Sequence, residues 1–181
     1  MKFLVLSTSM SPSSRSRILA RAAFDRLSDV HESSWMDLQT EGLPLCDGGP
    51  AADERVDRLR RAVMGSDGVL ITFGIYNYLA PAATKNAVEW SGRAAFEGKV
   101  VAFAAVGGGP GSLPCVASLT TPMLLDFGAV VCPNFVYTTG ASFVDDALVD
   151  SDVQERLDNF ISAWTTLTRR VRAGAVSYTH L

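Results

Sequence analysis

At 181 residues, with 48% apolar and 19% charged side chains, the chain has the composition of a globular domain able to bury a full core without disulfide or metal staples. Its net charge of −3 excludes the strongly basic surface on which nucleic-acid and anionic-membrane binders depend. Cys46, Cys115 and Cys132 are scattered and His31 and His180 lie far apart, which excludes a zinc-ligand motif and predicts reduced thiols in a cytoplasmic protein.

The opening MKFLVLSTS holds one Lys and a short apolar run, too short for the core of a signal peptide. No later apolar run approaches the length of a bilayer span. Phe3–Leu6 reads as a buried strand. It hands over to Ser7–Ser16, where seven of ten residues carry a hydroxyl. Hydroxyl side chains compete with the backbone for hydrogen bonds, so this stretch is a loop. Ile18, Leu19, Ala22, Ala23 and Leu27 then recur at helical spacing. Hydroxyls, backbone N–H groups and the positive end of that helix together suit a phosphate monoester, and Arg15 adds a charge-assisted contact. Neither a GxxxxGK[ST] nor a GxGxxG pattern is present. The plainer alternative is a solvated loop with Ser14 or Ser16 as helix cap.

His31–Leu38 reads as a weaker second strand, followed by the turn-rich EGLPLCDGGP. A helix rich in Arg and Asp is expected over Ala51–Met64, ending at Gly65. Gly68–Gly74 is a continuous buried strand, and a second unusual loop follows it. There Tyr76, Asn77 and Tyr78 offer an aromatic wall and an amide to a planar heterocycle. Alternatively the two Tyr pack on the surface, Asn77 makes a turn, and Lys85, Asn86 and Trp90 are helix and core residues. A helix fits Ala82–Gly92. Lys99–Val106 is the fourth strand, running into GGGPGS (Gly107–Ser112), where four glycines let backbone approach a ligand closely, let the loop move, or simply turn the chain. A helix is expected over Ser112–Asp126, kinked or interrupted by Pro122. Ala129–Thr138 is the fifth strand, and Val153, Leu157, Phe160, Ile161, Trp164, Leu167 and Val171 stripe a last helix. Residues 175–181 continue no pattern and are expected to be a disordered or non-native tail.

Five strands separated by helices, three of them apolar throughout, predict an α/β domain over residues 1–174 with a parallel sheet covered on both faces. In such sheets ligands bind beyond the carboxyl ends of the strands. The loops after strands one, three and four all lie at that edge.

Four segments resemble the NADPH-dependent FMN reductase family: MDLQTEGLPLCDG, YNYLAPAATKNAVEW, VGGGPGS and LLDFGAVVCP. The second is the most specific, matching a Tyr-Asn, Pro, Lys-Asn-Ala, acidic-Trp signature at the same spacing. The resemblance runs to about Tyr137. In the first loop Ser9 and Ser14 match the family's two serines, Ser16 stands where Asn is usual, and Thr8, Ser11 and Ser13 replace Gly, Arg and Gly. Gly74-Ile75 stands where the family has Pro-Glu.

The resemblance implies a flavodoxin-like three-layer sandwich, a five-stranded parallel sheet of order 2-1-3-4-5. It implies FMN as cofactor and NAD(P)H as co-substrate, with hydride passing to flavin N5 and two electrons then reaching a small acceptor such as a flavin or quinone. Ser9, Ser11, Ser14, Arg15 and Ser16 would hold the phosphate. Gly74, Ile75, Tyr76 and Asn77 would hold the ring, largely through backbone, and Gly108, Gly109, Gly111 and Ser112 would flank its other edge. No side chain is assigned an acid or base role, and no metal is expected. Family members commonly form homodimers or homotetramers. Two other classes stay open: an electron-transfer flavodoxin, usually far more acidic than this chain, and a relative that binds another phosphorylated ligand or a partner protein.

Overall fold

The computed structural model describes residues 1–50 and 52–174, so the expectation for residues 175–181 lies outside the described residues. In chain order the elements are β1 (Lys2–Ser7), α1 (Arg15–Ser28), β2 (Glu32–Asp37), α2 (Leu38–Glu41), α3 (Glu54–Met64), β3 (Gly68–Gly74), α4 (Ala82–Ser91), α5 (Arg93–Phe96) and β4 (Val100–Gly107). A 3₁₀ segment, Pro110–Leu119, leads to α6 (Thr120–Leu125), β5 (Val130–Val131), β6 (Val136–Thr139), the hairpin β7 (Phe143–Val144) and β8 (Ala147–Leu148), and α7 (Ser151–Ala173).

The sheet runs β2-β1-β3-β4-β5, with β6 also paired to β4, and every pairing in it is parallel. Leu6 sits beside Met36 on one side and Ile71 on the other, and Ile71 beside Phe103. Alternate strand residues face opposite layers. Leu4, Leu6, Ile71, Phe73 and Phe103 join Val56, Leu59 and Phe96 in one core. Phe3, Val5, Leu70, Ala102 and Ala104 join Leu19 and Ala23 of α1 and Val153, Leu157 and Trp164 of α7 in the other. Burial on both faces is why β1 and β4 carry unbroken apolar runs and β3 is interrupted only by Thr72, whose hydroxyl donates to the Leu6 carbonyl.

Three expectations need correction. The fifth strand is not continuous over Ala129–Thr138. It breaks into β5 and β6, both on β4, because Pro133 has no N–H for the ladder and the chain leaves the sheet around it. The Ser112–Asp126 helix is a 3₁₀ segment containing Pro114, followed by α6. Pro122 does not kink α6, since it stands in that helix's first turn, where a missing N–H costs no intrahelical bond. The helix expected from Ala51 begins at Glu54, where Asp53 accepts from the Arg55 amide as its cap. The short helices α2 and α5 and the β7–β8 hairpin carry too few residues to show a period. Among the described residues no helix is long and apolar enough to cross a membrane.

Candidate functional site

Arg17, in the first turn of α1, organises the hydroxyl-rich loop from inside. Its Nη1 donates to the carbonyls of Ser11 and Pro12 at 2.9 and 3.1 Å, and its Nη2 to that of Ser9 at 3.2 Å. Nε pairs with Asp37 Oδ2 at 2.5 Å, and Asp37, at the end of β2, is only 7% exposed. Peptides are planar and trans, so a carbonyl turned inward turns the next N–H outward. The amides of Met10 and Ser13 therefore face away from Arg17. The N–H groups of Arg15 and Ser16, at the start of α1, have no partner within the helix. An arginine already matched by its own carboxylate thus holds three of this loop's carbonyls inward.

The hydroxyls divide between two tasks. Thr8 Oγ1 donates to the carbonyl of Thr72 at 2.8 Å and lies 2.7 Å from Thr84 Oγ1, tying the loop to β3 and α4. Ser9 Oγ accepts from the Ser11 amide. Ser14 caps α1, accepting from the Arg17 amide at 3.2 Å, and its hydroxyl lies 3.0 Å from that of Ser16. Ser11, Ser13, Ser14, Arg15 and Ser16 line a cleft of about 500 Å³ together with Tyr76, Val106 and Gly107. Arg15 rests its guanidinium on Gly140, where a Cβ would come within 2.5 Å of Nη1.

The second loop turns tightly. Tyr76 and Leu79 exchange backbone hydrogen bonds at 3.1 and 3.0 Å. Asn77 and Tyr78 between them have φ of 49° and 64°, the geometry of a type I′ turn. The turn reading of Asn77 therefore holds. Tyr76 and Tyr78 are 58% and 68% exposed, and the Ile75 amide donates to the Val106 carbonyl at 2.9 Å, joining the second loop to the strand end that leads into the third. Gly74 lies against the Tyr76 ring.

In the third loop, Cβ atoms at Gly108, Gly109 and Gly111 would meet nothing, so packing does not demand these glycines and their backbone is open to a ligand. Ser112 donates its amide to the Gly109 carbonyl as the 3₁₀ segment starts. Gly107 is different. A Cβ there would collide with the hydroxyl of Tyr137, which donates to the Gly109 carbonyl. Of the third loop only Gly107 lines the cleft; the hydroxyls, Arg15, Tyr76 and the cleft volume fit a phosphorylated planar cofactor.

The structure gathers the first-loop residues and Tyr76 around one cleft. It places Ser9 and Asn77 inside their own turns, and leaves Ile75 half-buried against the core. Asn86 and Trp90, from the most specific motif, are structural. Asn86 accepts from the Cys46 amide at 2.7 Å and donates to Pro44, as does Trp90 Nε1, pinning the Leu-Pro-Leu segment to α4. Four features escaped the sequence reading: the Arg17–Asp37 pair, Ser13 as a lining residue, Tyr137 under the glycine loop, and the Asp145–Asp146 turn of the β7–β8 hairpin on the cleft's rim. Behind that hairpin, Ser142 donates to Asp150, the cap of α7, and this bond, with two amide bonds, holds the Asp150 carboxyl below its ordinary range.

The sequence profile of the NADPH-dependent FMN reductases matches residues 1–142. No curated protein sequence matches the chain. An oxidoreductase from Corynebacterium diphtheriae superimposes with a TM-score of 0.77 at 18% identity, over 93% of this chain and 97% of the other. FerB, a flavoenzyme NAD(P)H:(acceptor) oxidoreductase from Paracoccus denitrificans, gives 0.67 at 24% identity, over 92% and 98%. An NAD(P)H:quinone oxidoreductase from Methanothermobacter marburgensis gives 0.63 at 14% identity, over 89% and 98%. At these identities the likeness is one of fold.

Proposed function

Because the chain belongs to the NADPH-dependent FMN reductase family, we propose that it is a flavin-dependent NAD(P)H oxidoreductase, with FMN as cofactor and a small molecule such as a flavin or quinone as electron acceptor. Residues 1–174 act as one flavin-binding unit. When bound, the flavin supplies the two-electron chemistry; the chain's own residues bind and orient. Ser11, Ser13, Ser14, Ser16 and Arg15 hold the phosphate, helped by the outward amides of Met10 and Ser13. Ser9 keeps that loop in shape. The backbone of Gly74–Asn77 and the Tyr76 ring position the isoalloxazine, and Gly108–Ser112 lie along its other edge. No side chain need move a proton, since an acceptor released to solvent takes protons from water.

The observation that carries this reading is the Arg17-centred loop, whose donors and hydroxyls share a cleft with Tyr76. Tyr76, Tyr78, Leu79 and Leu113 are exposed on the strand-end loops, and we propose that a second copy covers them in a homodimer or homotetramer. Three free thiols favour the reducing cytoplasm.

An absorption spectrum after adding FMN and desalting tests the reading. A retained, protein-perturbed flavin band that NAD(P)H bleaches is the expected result. A colourless protein that keeps no FMN near saturation refutes it.

A further inference from the structure

Arg15 is the one cation among the residues that line the hydroxyl-rich cleft, and Asp145 and Asp146 of the β7–β8 turn line the same cleft. Opposite charges that share a cleft attract each other. Among the described residues, however, none of the three joins an ion pair. The guanidinium is held elsewhere. Its Nη1, Cζ and Nε lie 2.5, 3.0 and 3.5 Å from where a Cβ on Gly140 would stand, so it rests on the bare backbone of that residue.

The seat is firm. Gly140 follows β6, whose Thr139 pairs with Gly107 of β4, and it opens the short turn Gly140–Ser142. Thr138 Oγ1 lies 2.6 Å from Ser142 Oγ, which donates to Asp150 Oδ2 at 2.7 Å. The Val149 amide donates to the Ser142 carbonyl at 3.0 Å, and Phe143, next along the chain, is buried in the core. Nor does the backbone demand glycine here, since Gly140 is not among the residues of positive φ. The three atoms nearest an added Cβ all belong to Arg15. Gly107 is the contrast: a Cβ there meets the buried Tyr137, and the fold itself must give. At Gly140 it meets the end of an exposed, flexible side chain, and the side chain gives instead.

We propose that Gly140, which does not itself line the cleft, is a positioning residue for phosphate recognition. Its missing side chain seats Arg15 toward the phosphate of FMN and apart from the hairpin carboxylates, and so sets the preference for FMN over riboflavin. The proposal rests on the flavin reading of the cleft.

Fluorescence titration of the full chain with FMN and riboflavin tests it, using the wild type, Gly140→Ala, Arg15→Ala and the double variant. The wild type should favour FMN. Gly140→Ala should weaken FMN about 10-fold, the worth of one charge-assisted hydrogen bond, and leave riboflavin within about twofold. Its Tm should not fall, because the backbone accepts alanine. If Gly140 acts through Arg15, adding Gly140→Ala to Arg15→Ala should change FMN affinity by less than about twofold. An unchanged FMN affinity in Gly140→Ala overturns the proposal, as does a loss shared equally by riboflavin or one that persists in full without Arg15. A wild type that binds riboflavin as tightly as FMN overturns it too. A wild type that binds neither flavin refutes the flavin reading itself, and the proposal with it.

Discussion

Replacing Arg17 with Met removes the loop's internal support while keeping an unbranched stem of similar reach. Three carbonyls lose donors at 2.9–3.2 Å, and Asp37, 7% exposed, is left with the Gln39 amide at 3.2 Å. Breaking a fully buried pair costs about 3–5 kcal/mol. Here the Arg17 side chain is 19% exposed, so water relieves part of the loss and about 2 kcal/mol is expected. For a domain of this size that lowers Tm by roughly 4–8 °C. The larger effect is on binding. Re-ordering about two or three loop residues at ~1 kcal/mol each, part of it still supplied by the Ser14 cap, weakens FMN by roughly 10- to 100-fold. Riboflavin, which lacks the phosphate, should change by less than about threefold, because its binding does not draw on the oriented amides. Fluorescence titration of both flavins, with circular dichroism to confirm folding, reads the ratio. An FMN affinity within twofold of wild type would refute the reasoning, and so would equal losses for the two flavins. Asp37→Asn, which keeps a hydrogen-bonding partner, should give the same pattern at smaller amplitude.

Gly107→Ala forces a methyl against the Tyr137 hydroxyl and should cost about 1–3 kcal/mol in urea denaturation, partly recovered by adding Tyr137→Phe. Asn86→Ala cuts its own bonds to Pro44 and Cys46 and leaves the Trp90 Nε1 bond to Pro44; stability should fall by about 2 kcal/mol while FMN affinity stays within about twofold, and a large affinity loss would make Asn86 a site residue instead. Tyr78→Gly relieves a left-handed tyrosine (φ 64°) and should raise Tm by about 2–4 °C; a lower Tm would mean that its ring packs more than its exposure suggests. Asp150 has a folded-state carboxyl pKa below the ordinary 3.8, so the native state binds fewer acid-range protons than the unfolded chain. Its contribution is complete above that ordinary value and is lost as pH falls through the folded-state one. Thermal unfolding of Asp150→Asn should lie below wild type at pH 6, with the two curves drawing together as pH falls below that ordinary value.

What the sequence revealed follows from where each signal resides. β1, β3 and β4 announced themselves because burial on both faces leaves Phe3–Leu6 and Val100–Val106 wholly apolar and only Thr72 polar within Val69–Phe73. β5 and β6 read as one strand because the apolar residues on either side outweigh Pro133, whose missing N–H takes the chain off the middle of β4. The 3₁₀ segment misled for a related reason: Pro114 stands in a stretch whose apolar content is otherwise helical. At the site, the loops after β1, β3 and β4 were visible as composition. Their supports were not, because each is a long-range pair: Arg17 with Asp37, twenty residues apart, and Tyr137 with Gly109, twenty-eight apart. The signal for the first pair was present in hindsight. An arginine just after a run of hydroxyls, beside a strand ending in Asp, needs a counter-charge when buried.

The same pair accounts for how the proposed phosphate site, in a chain of net charge −3, is lined by one cation, Arg15, among the described residues. Arg17 is neutralised by Asp37, so its contribution to the cleft is geometric. It spends its donors on carbonyls, so the cleft is lined mainly by uncharged hydroxyl residues. Dipoles fixed in the folded state need no reorganisation when an anion arrives, and they do not attract bulk anions from a distance as clustered lysines and arginines would. The hydroxyl substitutions at Thr8, Ser11 and Ser13 belong to this design. Thr8 fastens the loop to β3 and α4, whereas Ser11 and Ser13 line the cleft. Replacing a loop cation by a hydroxyl lowers the attraction for a dianion while keeping the hydrogen bonds that recognise phosphate oxygens. In the proposed site, selectivity would therefore rest on the fixed shape of the first loop more than on its charge, and that shape is held by Arg17.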